Sequence, residues 1–357
     1  MYLTRQRVAE LALLSICVFW GGSFVTVKDA LSRSSPMVFT ALRFALAALF
    51  LLVLYRWGLH KEHIPGGVLC GTLLFLGYSL QTAGLRLTTA SRSAFLTALS
   101  IPLTPFCQCL VFWRRPRLAD VAGAVLACVG TFLLTRPSTS VGGSGRAAPF
   151  NTGDLLTVLS AVGFALHMVC LNYFSGDDTS PDAFRTISVV QLAIVALFSG
   201  MLCNVVEHAS LRPTPMYWAE LIVVALLATA IAFAVFSWAQ KHTTATRTAI
   251  ICSSGALPLP RSSSSRLTRC SFPEALFAAV TAYLVSGEVM SATNICGAVL
   301  IVAGILAGEL NSLPLPAGLR KWLGSVPPEP SDTEGQPSEL KDVESIPLVA
   351  ANQNKPE

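Results

Sequence analysis

Apolar residues run along this chain in blocks close to the roughly 20 residues with which a helix crosses the hydrocarbon of a bilayer. Ten blocks are predicted as spans: 8–30, 36–57, 65–85, 90–113, 117–135, 153–174, 183–205, 215–240, 243–286 with an interruption inside it, and 291–310. Each is apolar all round instead of striped, the pattern of a helix that faces lipid or the middle of a bundle. A transmembrane barrel needs alternating segments of about ten residues, and the sequence has none. The predicted fold is all-α and membrane-integral, with ten transmembrane helices. Arg5 and Arg7 precede the first block as they would a secretory signal. It lacks a small-x-small cleavage site and a second block follows at once, so it is read as an uncleaved span.

The interruption in the ninth block is odd. The stretch ICSSGALPLPRSSSSRLTRCSFPEALFAAV, 251–280, begins and ends apolar but holds prolines, four consecutive serines and three arginines in its middle. Self-similarity explains where it lies. TTASRSA at 88–94 returns as TTATRTA at 243–249, and GAVLACVG at 123–130 returns as GAVLIVAG at 297–304. The chain is thus one five-span unit written twice, and the second copy is longer between these anchors by about the length of 257–272. An odd number of spans per copy turns the second upside down relative to the first, the inverted repeat of a transporter. In copy one the matching stretch, FLTALSIPLTPFCQCLVFW, is a single span kinked by Pro102 and Pro105. Irregular Ser/Arg backbone cannot lie in hydrocarbon, where each unpaired amide costs several kcal/mol. Either 257–272 loops into a water-filled cavity or aqueous edge, or this copy is damaged.

Composition agrees with the spans: 53% of residues are hydrophobic and 13% charged, against about 25% charged in soluble domains. The ten cysteines fall mostly inside spans without a CxxC pair or a histidine-rich partner, so they are read as small packing residues, and no metal site is expected. The organisation predicted is repeat one at 8–136, a linker at 137–152 containing GGSG, repeat two at 153–310, and a disordered acidic cytoplasmic tail at 311–357. The body without that tail is basic, which suits an anionic membrane surface and is no evidence for nucleic acid. Basic residues between spans place both termini in the cytoplasm, RRPR at 114–117 being the clearest element.

Four stretches carry a family resemblance: FWGGSFVTVKDAL at 19–31, SPMVFTALRFALAAL at 35–49, TTASRSAFLTALSIPLTP from 88, and EALFAAVTAYLVSGE at 274–288. In order and duplicated, they resemble the drug/metabolite transporter superfamily, specifically its ten-span group built from two EamA domains, over about 8–310. The resemblance implies a carrier at the cell inner (plasma) membrane that works by alternating access, with proton exchange as coupling and export as direction. The sequence departs from the family at Ala275, where a proline is expected, and at 257–272, where the ninth span is normally unbroken.

Few ionisable residues lie inside spans, and those are the candidates for chemistry. Arg43, about 10 Å into the second span, can hold an anionic substrate group or serve as a structural arginine bonded to carbonyls. Its counterpart in copy two is the neutral Gln191. Glu274, just after Pro273, can bind and release a proton between access states or cap the helix that begins there. His167, inside the sixth span, is a second proton candidate, against a core histidine satisfied by a neighbour. Trp20, Tyr78, Gln81, Phe164 and Trp238 are placed at the cavity by location, since aromatic walls suit amphipathic metabolites. Lys28, beside Asp29, is read as an interfacial charge reaching for water. Gly304 and Gly308 form a GxxxG face that meets the fifth span of the same chain by default, or a second protomer in a homodimer.

The sequence holds no P-loop, GxGxxG, HExxH or nucleophile set, so neither an enzyme nor a cofactor is expected. The function predicted is secondary transport of a small polar or amphipathic metabolite across the bilayer. The rivals are a non-transporting or damaged paralogue and a membrane-embedded enzyme.

Overall fold

The computed structural model describes residues 5–113, 116, 118–136, 150–175, 183–240 and 273–309. All regular elements among them are helices. The first copy comprises α1 (Arg5–Ala30), α2 (Pro36–Tyr55), α3 (Ile64–Leu87), α4 (Ala90–Thr97), α5 (Ser100–Phe112) and α6 (Leu118–Leu134). The second comprises α7 (Thr152–Ser175), α8 (Ala183–Val206), α9 (Pro215–Ala225), a π-helical turn at Leu226–Ile231 leading into α10 (Ala232–Gln240), α11 (Pro273–Ser286) and α12 (Ala292–Glu309). Among the described residues six helical segments are long and apolar enough to cross a membrane, and three further apolar helices are shorter. TTATRTA at 243–249, the insert at 257–272, most of the linker and the acidic tail lie outside the described residues.

The packing of helices obeys the two-fold that the repeat demands. α2 packs on α8 and α6 on α12, while α3 packs on α7 as α10 packs on α1. Likewise α4 and α5 pack on α7 as α11 packs on α1. Each of these pairs is either its own image or matched by its image in the other copy, as the duplicated unit requires.

The glycines of the repeated GAVL motifs fix the register of the α6–α12 pair. A Cβ on Gly304 would lie 2.7 Å from the Ala127 nitrogen, and one on Gly130 would lie 2.6 Å from the Gly297 carbonyl oxygen. Because Gly123 corresponds to Gly297 and Gly130 to Gly304, the Gly123–Gly304 and Gly130–Gly297 approaches map onto each other when the copies are exchanged. The GxxxG face therefore meets the fifth span of its own chain.

The fourth span, Ala90–Phe112, is a single kinked segment. It breaks at Ala98–Leu99, between α4 and α5, upstream of the two prolines. Pro105 sits inside α5. The break follows from Pro102, whose missing N–H and bulky ring disturb the preceding turn. The chain tightens there to three-residue bonds, Leu99 N to Leu96 O at 3.2 Å and Ile101 N to Ala98 O at 3.1 Å.

Candidate functional site

Where the two copies meet, α1, α2, α3, α4, α5, α7, α10 and α11 surround a cavity of about 730 Å³ counting its mouth. The predicted residues Trp20, Arg43, Tyr78, Gln81, Phe164, His167 and Glu274 all line it, although they come from five different helices. The walls between them are largely aromatic. Tyr78 stands edge-on to Phe44 (4.8 Å between ring centres) and to Phe164 (5.1 Å), and Trp20 leans on Phe233 and Phe236.

Arg43 is anchored to the π turn. Its Nε donates to Thr229 Oγ1 at 2.6 Å and Nη2 to the Ala228 carbonyl at 3.4 Å, while Trp20 Nε1 donates to the same carbonyl at 2.9 Å. Thr229 Oγ1 in turn donates to the Val224 carbonyl, five residues back, at 2.9 Å. The wider π register leaves carbonyls that need outside donors, and Arg43 and Trp20 supply them. The guanidinium also lies 5.0 Å above the Tyr78 ring and 5.4 Å from that of Phe44, a cation–π arrangement made stronger by burial. Arg43 thus lines the cavity and bonds a carbonyl of the second copy.

Replacing Arg43 with Gln is expected to abolish transport while leaving folded protein in detergent. The loss reflects hydrogen bonds from a charged donor, each contributing about 1.5–3 kcal/mol. Transport by the variant equal to that of the wild type would remove Arg43 from the site.

His167 lines the cavity with its Nε2 donating to Gln191 Oε1 at 2.9 Å, the direction an amide oxygen requires. Gln191 is fully buried behind it and does not reach the cavity. It stands where α3 comes closest to α8, its backbone 2.9 Å from the position a Cβ on Gly71 would take. Gln81 Nε2 donates to Thr97 Oγ1 at 3.1 Å, tying α3 to α4. Trp238 is also outside the cavity, half-buried against the larger core cluster. Two residues beyond Phe236, it faces about 200° round the helix, and Phe233 and Phe236 take the role expected of it. The spacing of these two phenylalanines was a readable signal, whereas Thr229 gave none, because no Gly or Pro marks the π turn.

Glu274 is in the first turn of α11, where its backbone lies against Gly21 of α1, and it lines the cavity. No hydrogen bond or ion pair joins it to another described residue. It and Arg43 are thus two ionisable groups of opposite type lining one aromatic chamber.

At the end of the bundle where α1 and α3 finish, the TTASRSA stretch knots five elements together. Lys28 Nζ donates to the Thr88 carbonyl, so this lysine, beside exposed Asp29, ties the end of α1 to the end of α3. Thr88 Oγ1 donates to Asp154 Oδ1 at 2.7 Å, and Arg92 Nη2 pairs with Asp154 Oδ2 at 3.1 Å and donates to the Thr135 carbonyl at 2.6 Å. Glu288 caps α4 from the far copy, accepting from Ala90 N at 3.0 Å, Ser91 N at 3.2 Å and Ser91 Oγ at 2.9 Å.

The model of the EamA-like transporter family matches residues 7–136 and 151–257 of the chain. An uncharacterized transporter of Archaeoglobus fulgidus is 28% identical over 309 residues, 86% of this chain and 87% of that one. The uncharacterized transporter YyaM of Bacillus subtilis is 25% identical over 199 residues, 53% of this chain and 64% of that one. A solved crystal structure superimposes with a TM-score of 0.58 over 89% of this chain and 99% of its own at 16% identity, which is a likeness of fold.

Proposed function

Because the chain belongs to the EamA-like transporter family, we propose that it is a secondary carrier exporting a small amphipathic metabolite by alternating access, in exchange for protons. The observation that carries this reading is the carboxylate of Glu274, without a described partner, in an aromatic cavity on the seam between two inverted copies. A carboxylate so placed can hold either a proton or a positively charged part of the substrate, but not both. That competition is the simplest physical form of exchange. The other ionisable groups lining the cavity are Arg43 on α2, Tyr78 on α3 and His167 on α7. Arg43 and His167 are already bonded to Thr229 and Gln191, which leaves Glu274 as the group free to change partner.

The proposed setting is the plasma membrane, inner in a two-membrane cell, with both termini cytoplasmic and repeats at 8–136 and 153–310. In cells loaded with substrate, collapsing the proton gradient with an uncoupler is expected to stop uphill efflux. Efflux that continues unchanged would remove the proton from the cycle.

A second reading is favoured by one observation: the family match ends at 257, where the Ser/Arg stretch begins. Under that reading this copy is damaged and the chain does not transport. Comparing the chain with a form lacking 257–272 separates the two, because under this reading only the shortened form is monodisperse and active.

A further inference from the structure

A second, smaller chamber opens beside the cavity. It measures about 500 Å³ counting its opening, and it shares Trp20, Thr97, Ser100, Met168 and Glu274 with the main cavity. Its own walls are apolar: Phe95, Ala98 and Ile101 from the broken α4–α5 span, Ala275 from α11, and Val302 and Ile305 from α12. The tightened turn at Ala98–Leu99 places Ala98 on the wall of this chamber, across from Val302 and Ile305 of α12. The small side chains of Ala98 and Ala275 keep the chamber open, and Ala275 stands where the family resemblance leads one to expect a proline.

Glu274 therefore stands at a junction with aromatic faces on one side and an aliphatic recess on the other. Its carboxylate has no hydrogen bond or ion pair to a described residue, while Arg43, which lines the same cavity, is held by Thr229 and Ala228. A ligand that satisfies both chambers carries a positive charge next to an apolar group: the charge meets the carboxylate and the ring faces, and the apolar group leaves water for the recess. We propose that the side chamber is a specificity subsite that takes the apolar group of a small primary amine whose ammonium is held by Glu274, with Ala98 and Ala275 setting the size of group admitted. This rests on the reading of Glu274 given above and adds the class of substrate to it.

The test uses the full chain in lipid nanodiscs, titrated with ethylamine, butylamine, isopentylamine and phenethylamine and read by tryptophan emission, to which Trp20 contributes from both chambers. For the wild type, affinity is expected to tighten by about ten- to a hundredfold from ethylamine to phenethylamine. Ala98→Leu and Ala275→Leu, which fill the recess from different helices, are expected to flatten that gradient to less than about threefold. Ile305→Ala, which enlarges the recess, should steepen it, and provides the readout if the filling variants do not fold. Glu274→Gln should weaken every amine by about tenfold or more and keep the gradient. A gradient that is the same in all recess variants overturns the proposal, as does a monodisperse wild-type protein that binds none of the amines. A gradient that responds to the recess variants but amine affinity that ignores Glu274→Gln keeps the chamber and removes the carboxylate from the site, so the two readings fail separately.

Discussion

Glu274→Gln is expected to yield a folded protein that neither exports substrate nor moves protons. The substitution keeps side-chain volume and hydrogen-bonding shape but removes the only property exchange needs, a group that can be anionic or protonated. Fold should survive because no described residue depends on the carboxylate: Arg43 is bonded to Thr229 and Ala228, His167 to Gln191 and Trp20 to Ala228. Removing one partner of a desolvated charge pair costs about 2–5 kcal/mol, so substrate-driven flux should fall by about a hundredfold or more. The measurement is efflux from proteoliposomes under an imposed pH gradient, with a trapped pH-sensitive dye reporting proton counterflow. A Gln variant with wild-type counterflow would show that the proton travels elsewhere, and His167 would be the next group to test.

Gly130→Leu is expected to give the largest loss of stability. Gly130 and Gly297 bring the backbones of α6 and α12 together, and a Cβ on Gly130 would already lie 2.6 Å from the Gly297 oxygen and the Ile301 nitrogen. Both atoms are backbone and cannot rotate out of the way, so the helices must separate along the whole shared face. Without a hydrophobic drive between helices in lipid, association depends on this close packing. Overpacking of this sort costs about 1–3 kcal/mol, a large part of the about 5–15 kcal/mol by which domains are stable. A lower melting temperature and a smaller monodisperse fraction in detergent should report it. Gly22→Leu is the control, because nothing lies within 4 Å of a Cβ there. If the two variants behave alike, the glycine seam between the fifth and tenth spans does not hold the copies together.

These expectations draw on different sources. The membrane class and the duplicated unit are legible in the apolar blocks and in two pairs of recurring motifs. So are most of the cavity-lining residues: Trp20, Arg43, Tyr78, Gln81, Phe164, His167 and Glu274 are polar or aromatic residues in apolar spans, where they are costly or distinctive enough to stand out. Gln191 and Trp238 were chosen on the same grounds, and the structure puts both outside the cavity. A residue's type says that it needs a partner or a wall, but not on which side of its helix that partner stands.

Sequence alone therefore determined what this chain is made of and how often its unit is repeated, because partition into a bilayer is a local property that adds up residue by residue. Only the tertiary structure decided which faces turn inward: that Arg43 meets Thr229, 186 positions away, that Lys28 braces Thr88, that Glu288 caps a helix of the other copy, and that Glu274 remains without a described partner at the seam. Those outcomes depend on the rotation and spacing of helices distant in the chain, set by packing at glycines and at the broken fourth span, and no window of neighbouring residues contains that information.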